Sequence, residues 1–385
     1  MDRATEIQLI KEIIGLADQQ SAYLDDRIAE SPIARYTSPE RFAEEMRTVF
    51  QREPVAVAHA SELARPRAFV TKSHRGLPLL ITRDDAGAVA AFLNVCRHRG
   101  ATLERGASGC KRVFTCPYHG WSWRANGDLH AVPHEAQGFP ALDHASRGLR
   151  RLPVAEAHGF IWVIADPTSD VTLDMPRWLD GLDADFDWLD LRHHRVAVSD
   201  TLDVRANWKL LVEGGLEAYH FRVAHKQTIA PYFPDNLSTY TRIGPHIRSV
   251  LPRTTLVDLR DTPQADWQIR RDANLLYTTL TNTQLLVQQD HVVWVHAEPL
   301  AHDLTRLTLS TLVPEAAETG EAMDDHWRKN QAISVATLKE DFDLGEAIQT
   351  GLRAGANPSH LFGRFEGALN HFNAAVEAAM QRATR

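Results

Sequence analysis

Apolar residues near the start of the chain recur at the spacing of one helical face. Within the first twenty residues these positions are Ile7, Ile10, Ile13, Ile14 and Ala17. Such spacing is typical of an amphipathic helix whose apolar side is buried. We therefore predict an N-terminal helix that packs on the body of the protein.

The pattern changes between about residue 52 and residue 165, where the apolar stretches become short. Turn-forming segments such as DDAG and ANGD separate the runs LPLLITRD, AAFLNVC, RVFTC and GFIWVIAD. Short apolar runs between turn signals are typical of strands, so the region is predicted to be a small antiparallel β domain. Within it, Asn126-Gly127 predicts a two-residue hairpin turn of type I′, which needs positive φ at both positions.

The rest of the chain mixes helical and strand patterns. A helix is expected over residues 206–225, followed by strands in RDANLLYTTL, TQLLVQQ, HVVWVHAEPL and RLTLSTLV. Residues 321–350 and 360–382 have the spacing of helices that cover one face of a sheet. The fold class is therefore α+β, with a helical N-terminal segment at 1–45, a β domain at 46–165 and a larger domain at 166–385.

Composition narrows the range of functions. The 385 residues exceed the ~100–200 usual for one domain, and the 50 acidic and 42 basic residues form no basic block. This balance argues against nucleic-acid and membrane partners. Three cysteines exclude a disulfide scaffold and fit a reducing cytoplasm. No stretch resembles a secretion signal or approaches the ~18 apolar residues of a membrane span.

Two short boxes each hold one cysteine and one histidine. Cys96 and His98 form the first box, Cys116 and His119 the second, and the pattern is C-x-H-x17-C-x2-H. Thiolate and imidazole suit zinc or iron. A zinc finger groups its cysteines and histidines separately, whereas one of each in each box allows two sulfurs to hold one iron and two nitrogens the other. We therefore predict a Rieske [2Fe–2S] cluster at these four residues.

A cluster that passes single electrons needs an acceptor, and the larger domain offers ligands for a second metal. Glu213, Glu217 and His220 would share one face of a helix. His225 would reach the same metal only if the helix ended or distorted after His220. A mononuclear Fe(II) oxygenase site needs two histidines and one carboxylate. The carboxylate candidates are Glu340, Asp341, Asp343 and Glu346.

Several common catalytic motifs are absent from the sequence. HExxH, GxGxxG, GxxxxGK and GxSxG do not occur, so the pattern does not support a metalloprotease, a Rossmann reductase, a P-loop enzyme or a serine hydrolase. Without a nucleotide site, electrons from NAD(P)H must arrive through a separate reductase or ferredoxin.

The boxes CRHRG and CPYHGW resemble those of the α subunits of bacterial aromatic-ring-hydroxylating Rieske oxygenases. The similarity continues through NWK, ExYHxxxxH and EDFDLGEAIQTGL. It implies a Rieske domain followed by a catalytic domain with a helix-grip, START-like fold. It also implies that His220, His225 and Asp341 bind a mononuclear Fe(II).

The same resemblance implies a role for Glu217 and an assembly. In this family the cluster of one subunit serves the iron of its neighbour in a trimer. Glu217 would hydrogen-bond His220 in its own chain and a cluster histidine, His98 or His119, across the interface. We therefore expect an α3 homotrimer.

Two absences bear on this resemblance, and only the first is a departure from the family. Gly214-Gly215 stands where the family usually has asparagine after the glutamate, so a side-chain amide near the iron is missing. The boxes also lack the extra cysteine pair of respiratory Rieske proteins, which points to the oxygenase type. Cys110 is interpreted as a small buried or loop residue rather than a ligand.

The function implied is a terminal oxygenase that uses O2 to hydroxylate a small organic molecule. An aromatic substrate, by mono- or dioxygenation in aromatic hydrocarbon catabolism, is the first hypothesis. The alternatives are an oxidative demethylase or monooxygenase of a quaternary ammonium compound, and a Rieske electron carrier without oxygenase activity. The residues expected to line the substrate pocket are Phe221, Tyr232, Phe233, Tyr277, Leu286 and Trp294.

Overall fold

The computed structural model describes residues 1–383, which form two compact units. One unit, called here the β unit, runs from Phe50 to Met175. The other, called the larger unit, combines Met1–Val49 with the chain from Pro176 onward. The β unit is therefore inserted into the sequence of the larger unit.

The first helix confirms the amphipathic pattern. Helix α1 (Arg3–Asp18) buries Ile10 and Ile13 among its apolar residues. Asp2 caps its N-terminus because its carboxylate accepts a hydrogen bond from the Thr5 N–H at 2.7 Å. The segment continues with β1 (Ala29–Pro32), α2 (Ala34–Thr37) and α3 (Pro39–Thr48).

The β unit consists of short antiparallel strands, as the sequence predicts. Its sheets have the orders β10-β5-β4-β3-β6, β11-β12-β2 and β7-β8-β9. The elements are β2 (Val55–His59), β3 (Ala68–His74), β4 (Leu77–Arg83), β5 (Val89–Leu93), β6 (Ser108–Cys110), β7 (Val113–Thr115), β8 (Ser122–Arg124), β9 (Leu129–Ala131), α4 (Glu135–Gly138), β10 (Arg151–Leu152), β11 (Val154–Ala157) and β12 (Phe160–Val163).

The hairpin between β8 and β9 is confirmed, but the predicted turn type is wrong. Gly127 has a φ of 90°, whereas Asn126 does not adopt positive φ. The Gly127 N–H donates to the Arg124 carbonyl at 2.9 Å, so Ala125 and Asn126 are the central turn residues. The loop is thus one residue longer than predicted, with glycine at its left-handed position.

The larger unit is built on a seven-stranded antiparallel sheet, in the order β13-β19-β18-β17-β16-β15-β14. All four strands predicted from apolar runs are confirmed as β16 to β19. The strands are β13 (His194–Val204), β14 (Thr239–Ile243), β15 (His246–Pro252), β16 (Ala273–Thr278), β17 (Thr283–Val287), β18 (Val292–Ala301) and β19 (Leu304–Pro314).

Helices cover this sheet, which confirms the α+β class. The long helix α10 packs on β13, β19 and α7, and its Phe342 shares a buried apolar cluster with Leu211, Val293 and Leu309. No helix within residues 1–383 is both long enough and apolar enough to cross a membrane. The helices are α5 (Met175–Leu179), α6 (Asp183–Leu189), α7 (Trp208–Gly214), α8 (Phe221–Ala224), α9 (Ile269–Asp272), α10 (Glu321–Arg353) and α11 (Gly367–Ala383).

Two helix predictions need correction. The C-terminal helix begins at Gly367 and not near residue 360, because β20 (Ser359–Phe362) pairs with β1 instead. The single helix over residues 206–225 is wrong, since α7 ends at Gly214 and α8 begins only at Phe221.

The break follows from the two glycines. Each lowers helix stability by ~1 kcal/mol relative to alanine. Gly215 also packs closely on the sheet, where a Cβ would lie 3.0 Å from Gln284 and 3.0 Å from Leu276. The chain therefore leaves the helix where only glycine fits against the strands.

Candidate metal centres

The two Cys-His boxes form matching loops in the β unit. The first follows β5 and the second connects β7 to β8. The Gly100 N–H donates to the Cys96 carbonyl at 3.0 Å, and the Gly120 N–H donates to the Cys116 carbonyl at 3.1 Å. Both glycines have positive φ, 81° and 72°. Glycine at these positions allows each loop to turn back directly after its histidine.

The side chains of the boxes converge with sulfur inside and nitrogen outside. Cys96 and Cys116 are buried, His98 is half-buried and His119 is exposed. The two imidazole centroids lie 4.7 Å apart, and the His98 ring stacks on Trp121 at 4.8 Å. The buried Nδ1 of His98 has no hydrogen-bond partner among residues 1–383. An orphaned ring nitrogen beside two buried thiols fits a cluster ligand set.

Burial raises the pKa of Cys96, and the neighbouring Cys116 thiol raises it further. Backbone hydrogen bonds from His98 and Arg99 to the Cys96 sulfur act in the opposite direction and lower this pKa. Bound metal would hold both sulfurs as thiolates. Cys110 is different. It is the exposed last residue of β6, so its interpretation as a buried or loop residue is wrong.

A second set of ligand atoms converges in the larger unit. His220 and His225 flank the short helix α8, and Asp341 lies on α10. Asp341 Oδ1 lies 2.9 Å from His225 Nε2 and 3.3 Å from His220 Nε2, and the two Nε2 atoms are 3.2 Å apart. One ligand atom from each residue can thus reach a single ion. Two imidazoles and one carboxylate are the donor set of non-haem Fe(II) sites.

A carboxylate holds the outer nitrogen of each histidine. His220 Nδ1 contacts Glu217 Oε1, and the His220 backbone N–H donates to Glu217 Oε2 at 3.1 Å. His225 Nδ1 lies 2.6 Å from Glu340 Oε2, which also accepts a hydrogen bond from Thr228 Oγ1 at 2.7 Å. Metal-binding histidines typically donate their second N–H to a carboxylate in this way, which fixes the ring and the tautomer. The surroundings therefore fit a metal at the Nε2 atoms.

The charges of the metal-free site are strongly coupled. Burial lowers the pKa of His220, but Asp341 and Glu217 outweigh this effect and raise it to about 10. Burial likewise lowers the pKa of His225, and Asp341 and Glu340 again produce a net increase. Burial raises the pKa of Asp341, while the two imidazoles bring it below its usual value. The carboxylates around the two imidazoles therefore favour positive charge at this site.

Glu213 does not join this set. It is buried, and its Oε1 accepts hydrogen bonds from Tyr36 at 2.8 Å and Asn373 at 2.7 Å. Nearby, Lys209 Nζ contacts both carboxylate oxygens of Glu45 at 2.7 Å. These buried pairs anchor α7, which ends beside the metal site. The expected common face of Glu213, Glu217 and His220 is therefore wrong, because the helix stops between them.

A cavity of about 160 Å³ opens beside His225 and Asp341. Of the aromatic and apolar residues expected in its wall, Phe221, Phe233 and Leu286 line it. The other three do not, since Tyr232 is exposed while Tyr277 and Trp294 are buried elsewhere in the sheet. Sequence reasoning missed the polar wall residues, which are Asn274, Gln284 and Gln288 at β16 and β17 and Ser334 and Thr337 on α10.

Two family models match the regions of the chain that contain the two sites. A model described as the ring hydroxylating alpha subunit (catalytic domain) matches residues 191–382, and one described as the Rieske [2Fe-2S] domain matches residues 53–153. Together they define an oxygenase subunit that joins a Rieske domain to a mononuclear-iron domain. The chain belongs to the family of Rieske oxygenase α subunits, as predicted. Members are oxidoreductases that incorporate oxygen and take electrons from a separate partner.

Relatives with known names extend the comparison. The chain is 32% identical over 363 residues to the anthranilate 1,2-dioxygenase large subunit of Acinetobacter baylyi, covering 81% of this chain and 74% of that protein. It is 26% identical over 358 residues to the glycine betaine monooxygenase oxygenase subunit of Chromohalobacter salexigens, covering 83% and 78%.

Solved structures share the fold. The quaternary ammonium Rieske monooxygenase CntA in complex with L-carnitine superimposes with a TM-score of 0.76 at 23% identity, over 91% of this chain and 96% of that one. Naphthalene 1,2-dioxygenase from Rhodococcus sp. gives a TM-score of 0.75 at 18% identity, over 97% and 98%. At these identities the similarity concerns the fold alone.

Proposed function

We propose that His220, His225 and Asp341 bind the mononuclear Fe(II) of this oxygenase. The observation that carries the proposal is the convergence of their ligand atoms within one ion's reach. Glu217 and Glu340 support it, because each holds the outer nitrogen of one histidine. Glu340 is thereby assigned to the second layer of the site, and Asp341 to the metal.

We propose the ligands of the Rieske cluster from the convergence of their side chains. Cys96 and Cys116 would bind the buried iron, and His98 and His119 the iron nearer the surface, which agrees with their burial. Two neutral nitrogens in place of thiolates raise the potential of such a cluster. The division into a segment at 1–45, a Rieske domain at 46–165 and a catalytic domain at 166–385 remains part of this proposal.

Bound iron would supply the activation of O2, with electrons delivered by the cluster. The chain's own residues set the conditions. Glu217 and Glu340 orient the imidazoles, and the apolar wall of the cavity keeps water away from the reacting carbon. Glu217 would also hydrogen-bond His98 or His119 of a neighbouring subunit, which makes it the residue that connects the two centres.

A small aromatic molecule is the substrate we propose. The cavity volume of about 160 Å³ is close to the ~150 Å³ of an apolar protein cavity that binds benzene. Hydroxylation of such a ring, in the catabolism of aromatic compounds, would follow from the family chemistry. A quaternary ammonium substrate is the second candidate, favoured by the similarity to carnitine and glycine betaine monooxygenases.

The assembly and the electron supply complete the proposal. We expect an α3 trimer, detectable by light scattering, that receives electrons from NAD(P)H through a separate reductase or ferredoxin. A cytoplasmic location stays a prediction from the cysteine content of the sequence.

Replacing His220 or His225 with alanine tests the iron site. Each variant should lose oxygen-coupled turnover with a surrogate reductase while keeping the visible and electron paramagnetic spectra of the cluster. His193→Ala, an exposed histidine of the same unit, is the control and should keep full turnover. Turnover that survives in His220→Ala would make the assignment wrong. Reduction of the cluster without oxygen-coupled turnover in the wild type would instead favour a plain electron carrier.

A further inference from the structure

The floor of the cavity has a regular chemical pattern. Residues on one face of β16 and β17 line it, and the register pairs Leu276 with Leu286 across the two strands. Asn274 on β16 and Gln288, the first residue after β17, also line the cavity. In the other direction, Gln284 lies against Gly215 at the end nearer the metal site. An apolar leucine pair thus separates the amide of Gln284 from the amides of Asn274 and Gln288.

The distances suit one ring. A strand advances ~3.3 Å per residue, so Asn274 lies roughly 7 Å along the strand from Leu276. A single aromatic ring that covers the leucine pair would therefore extend from the metal end of the cavity to the distal amides. Gln284 does not need a ligand, because its Nε2 already donates to the Val212 carbonyl at 3.0 Å and to Thr278 Oγ1 at 3.1 Å.

The distal amides are differently placed. Asn274 Oδ1 accepts a hydrogen bond from Arg253 Nη2 at 3.2 Å. This bond fixes the orientation of the amide and leaves Nδ2 as a donor. Gln288 uses its backbone carbonyl to accept from Arg270, at 3.1 Å from Nε and 3.0 Å from Nη2. Its side-chain amide therefore provides a donor and an acceptor beside Asn274.

Charge is the second part of the pattern. The titratable side chains of the wall are His225 and Asp341, which belong to the metal site. Arg253 contacts the back of Asn274 but is not part of the wall. The aromatic rings of the wall are Phe221 and Phe233, and no lysine, arginine or glutamate lines it. Burying an unpaired anion or cation in such a cavity is unfavourable.

We propose that this cavity binds an uncharged, single-ring molecule with a hydrogen-bonding substituent such as a carboxamide or hydroxyl. Asn274 and Gln288 recognise the substituent, and the opposite end of the ring faces the iron and is oxidised. The inference rests on the proposed function, because the cavity is taken as the substrate site. It differs from the charged molecules in the names of three of the similar proteins, since anthranilate is an anion and carnitine and glycine betaine carry quaternary ammonium groups. It differs from the naphthalene of the fourth in its hydrogen-bonding substituent.

Pairs of probe molecules with similar shape and different charge test whether the cavity prefers uncharged ligands. Calorimetry on the holoenzyme, without O2 so that nothing turns over, would compare benzamide with benzoate, and tert-butylbenzene with phenyltrimethylammonium. Each pair differs in charge and hardly in shape. We expect the neutral member to bind about tenfold more tightly or better in both pairs. Tighter binding of benzoate or of phenyltrimethylammonium would overturn the inference.

Matched variants test whether the side chain of Gln288 binds the substituent of the ligand. Gln288→Leu should weaken benzamide binding about tenfold and should not weaken tert-butylbenzene binding, because the new side chain is apolar. Gln289→Leu, which alters the exposed neighbour outside the cavity wall, should change neither. Equal benzamide affinity in Gln288→Leu and wild type, with both variants melting at the wild-type temperature, would refute the anchoring role. Product analysis after adding O2 and a reductase separates this inference from the proposed function. If benzamide binds but is not oxidised, the proposed substrate chemistry is wrong, while the preference of the cavity for uncharged ligands is still supported.

Discussion

Glu340 provides the sharpest test of how the iron site is supported. Its Oε2 lies 2.6 Å from His225 Nδ1, and the carboxylate accepts a second hydrogen bond from Thr228. Glu340→Gln keeps the size and one acceptor oxygen but removes the charge. Glu340→Ala removes the contact entirely, so His225 would lose the partner that fixes its ring.

The expected size of the effect follows from comparable sites. Loss of a carboxylate behind a metal-bound histidine costs ~10–100-fold in metal affinity, which is about 1.4–2.8 kcal/mol. We expect Glu340→Gln near the lower limit and Glu340→Ala near the upper. Asp341→Asn should weaken binding more than either, because it changes a ligand atom.

The assay is anaerobic Fe(II) competition with a chromophoric chelator, with the cluster spectrum recorded on the same sample. Asp343→Asn is the matched control, because Asp343 is on the same helix but faces Lys339 at the surface. Its Fe(II) affinity should equal that of the wild type. Wild-type affinity in Glu340→Ala would refute the support role, and a larger loss in Glu340→Ala than in Asp341→Asn would exchange the roles of the two acids.

Three further results are expected. The surrounding carboxylates raise the pKa of His220 to about 10, so binding of Fe(II) or Co(II) near neutral pH should release protons and metal affinity should rise with pH. Calorimetry in buffers of different ionisation enthalpy measures the proton release. A metal affinity that stays constant between about pH 6 and 8 would contradict this prediction. Burial raises the pKa of Glu213 from 4.5 to about 7, so the native state binds more protons than the unfolded chain in this window and stability should fall as pH rises through it. Glu213→Gln should remove this slope in denaturant titrations and gain up to about 3 kcal/mol at alkaline pH, whereas an unchanged slope would assign it to other groups. Gly215→Ala places a methyl group 3.0 Å from both Gln284 and Leu276, so it should lower the free energy of unfolding by about 1–3 kcal/mol and weaken binding of the probe molecules. Gly138→Ala is the control, because Gly138 has open space around it. Equal melting temperatures for the two variants would contradict the prediction and show that the side chains on the sheet move to accept the methyl group.

The sequence predicts the chemistry of this protein better than its local geometry. The Cys-His boxes and the two histidines of the second site are visible because their spacing is short. Residue spacing does not decide between Asp341 and Glu340 as the metal ligand, since adjacent helical residues differ only in which one faces the Nε2 atoms of His220 and His225. That depends on the rotation of α10 against the sheet, which apolar spacing defines only within a residue or so.

Long-range partners explain the other differences. Glu213 looks like a member of the metal face until Tyr36 and Asn373, both distant in sequence, are seen to bind it. The break after Gly214 depends on close packing against Gln284. The cavity wall likewise combines strands and a helix whose relative placement no single segment encodes.

The insertion of the β unit has a consequence for biosynthesis. Glu45 must remain without its buried partner Lys209 until the ribosome has added residues 46–209, which takes on the order of 8–33 s at roughly 5–20 residues per second. Strand β1 waits still longer, because its partner β20 lies more than 300 residues further along the chain. The inserted segment can therefore mature first on the nascent polypeptide, while the surrounding unit closes only after residues 359–362 have been synthesised.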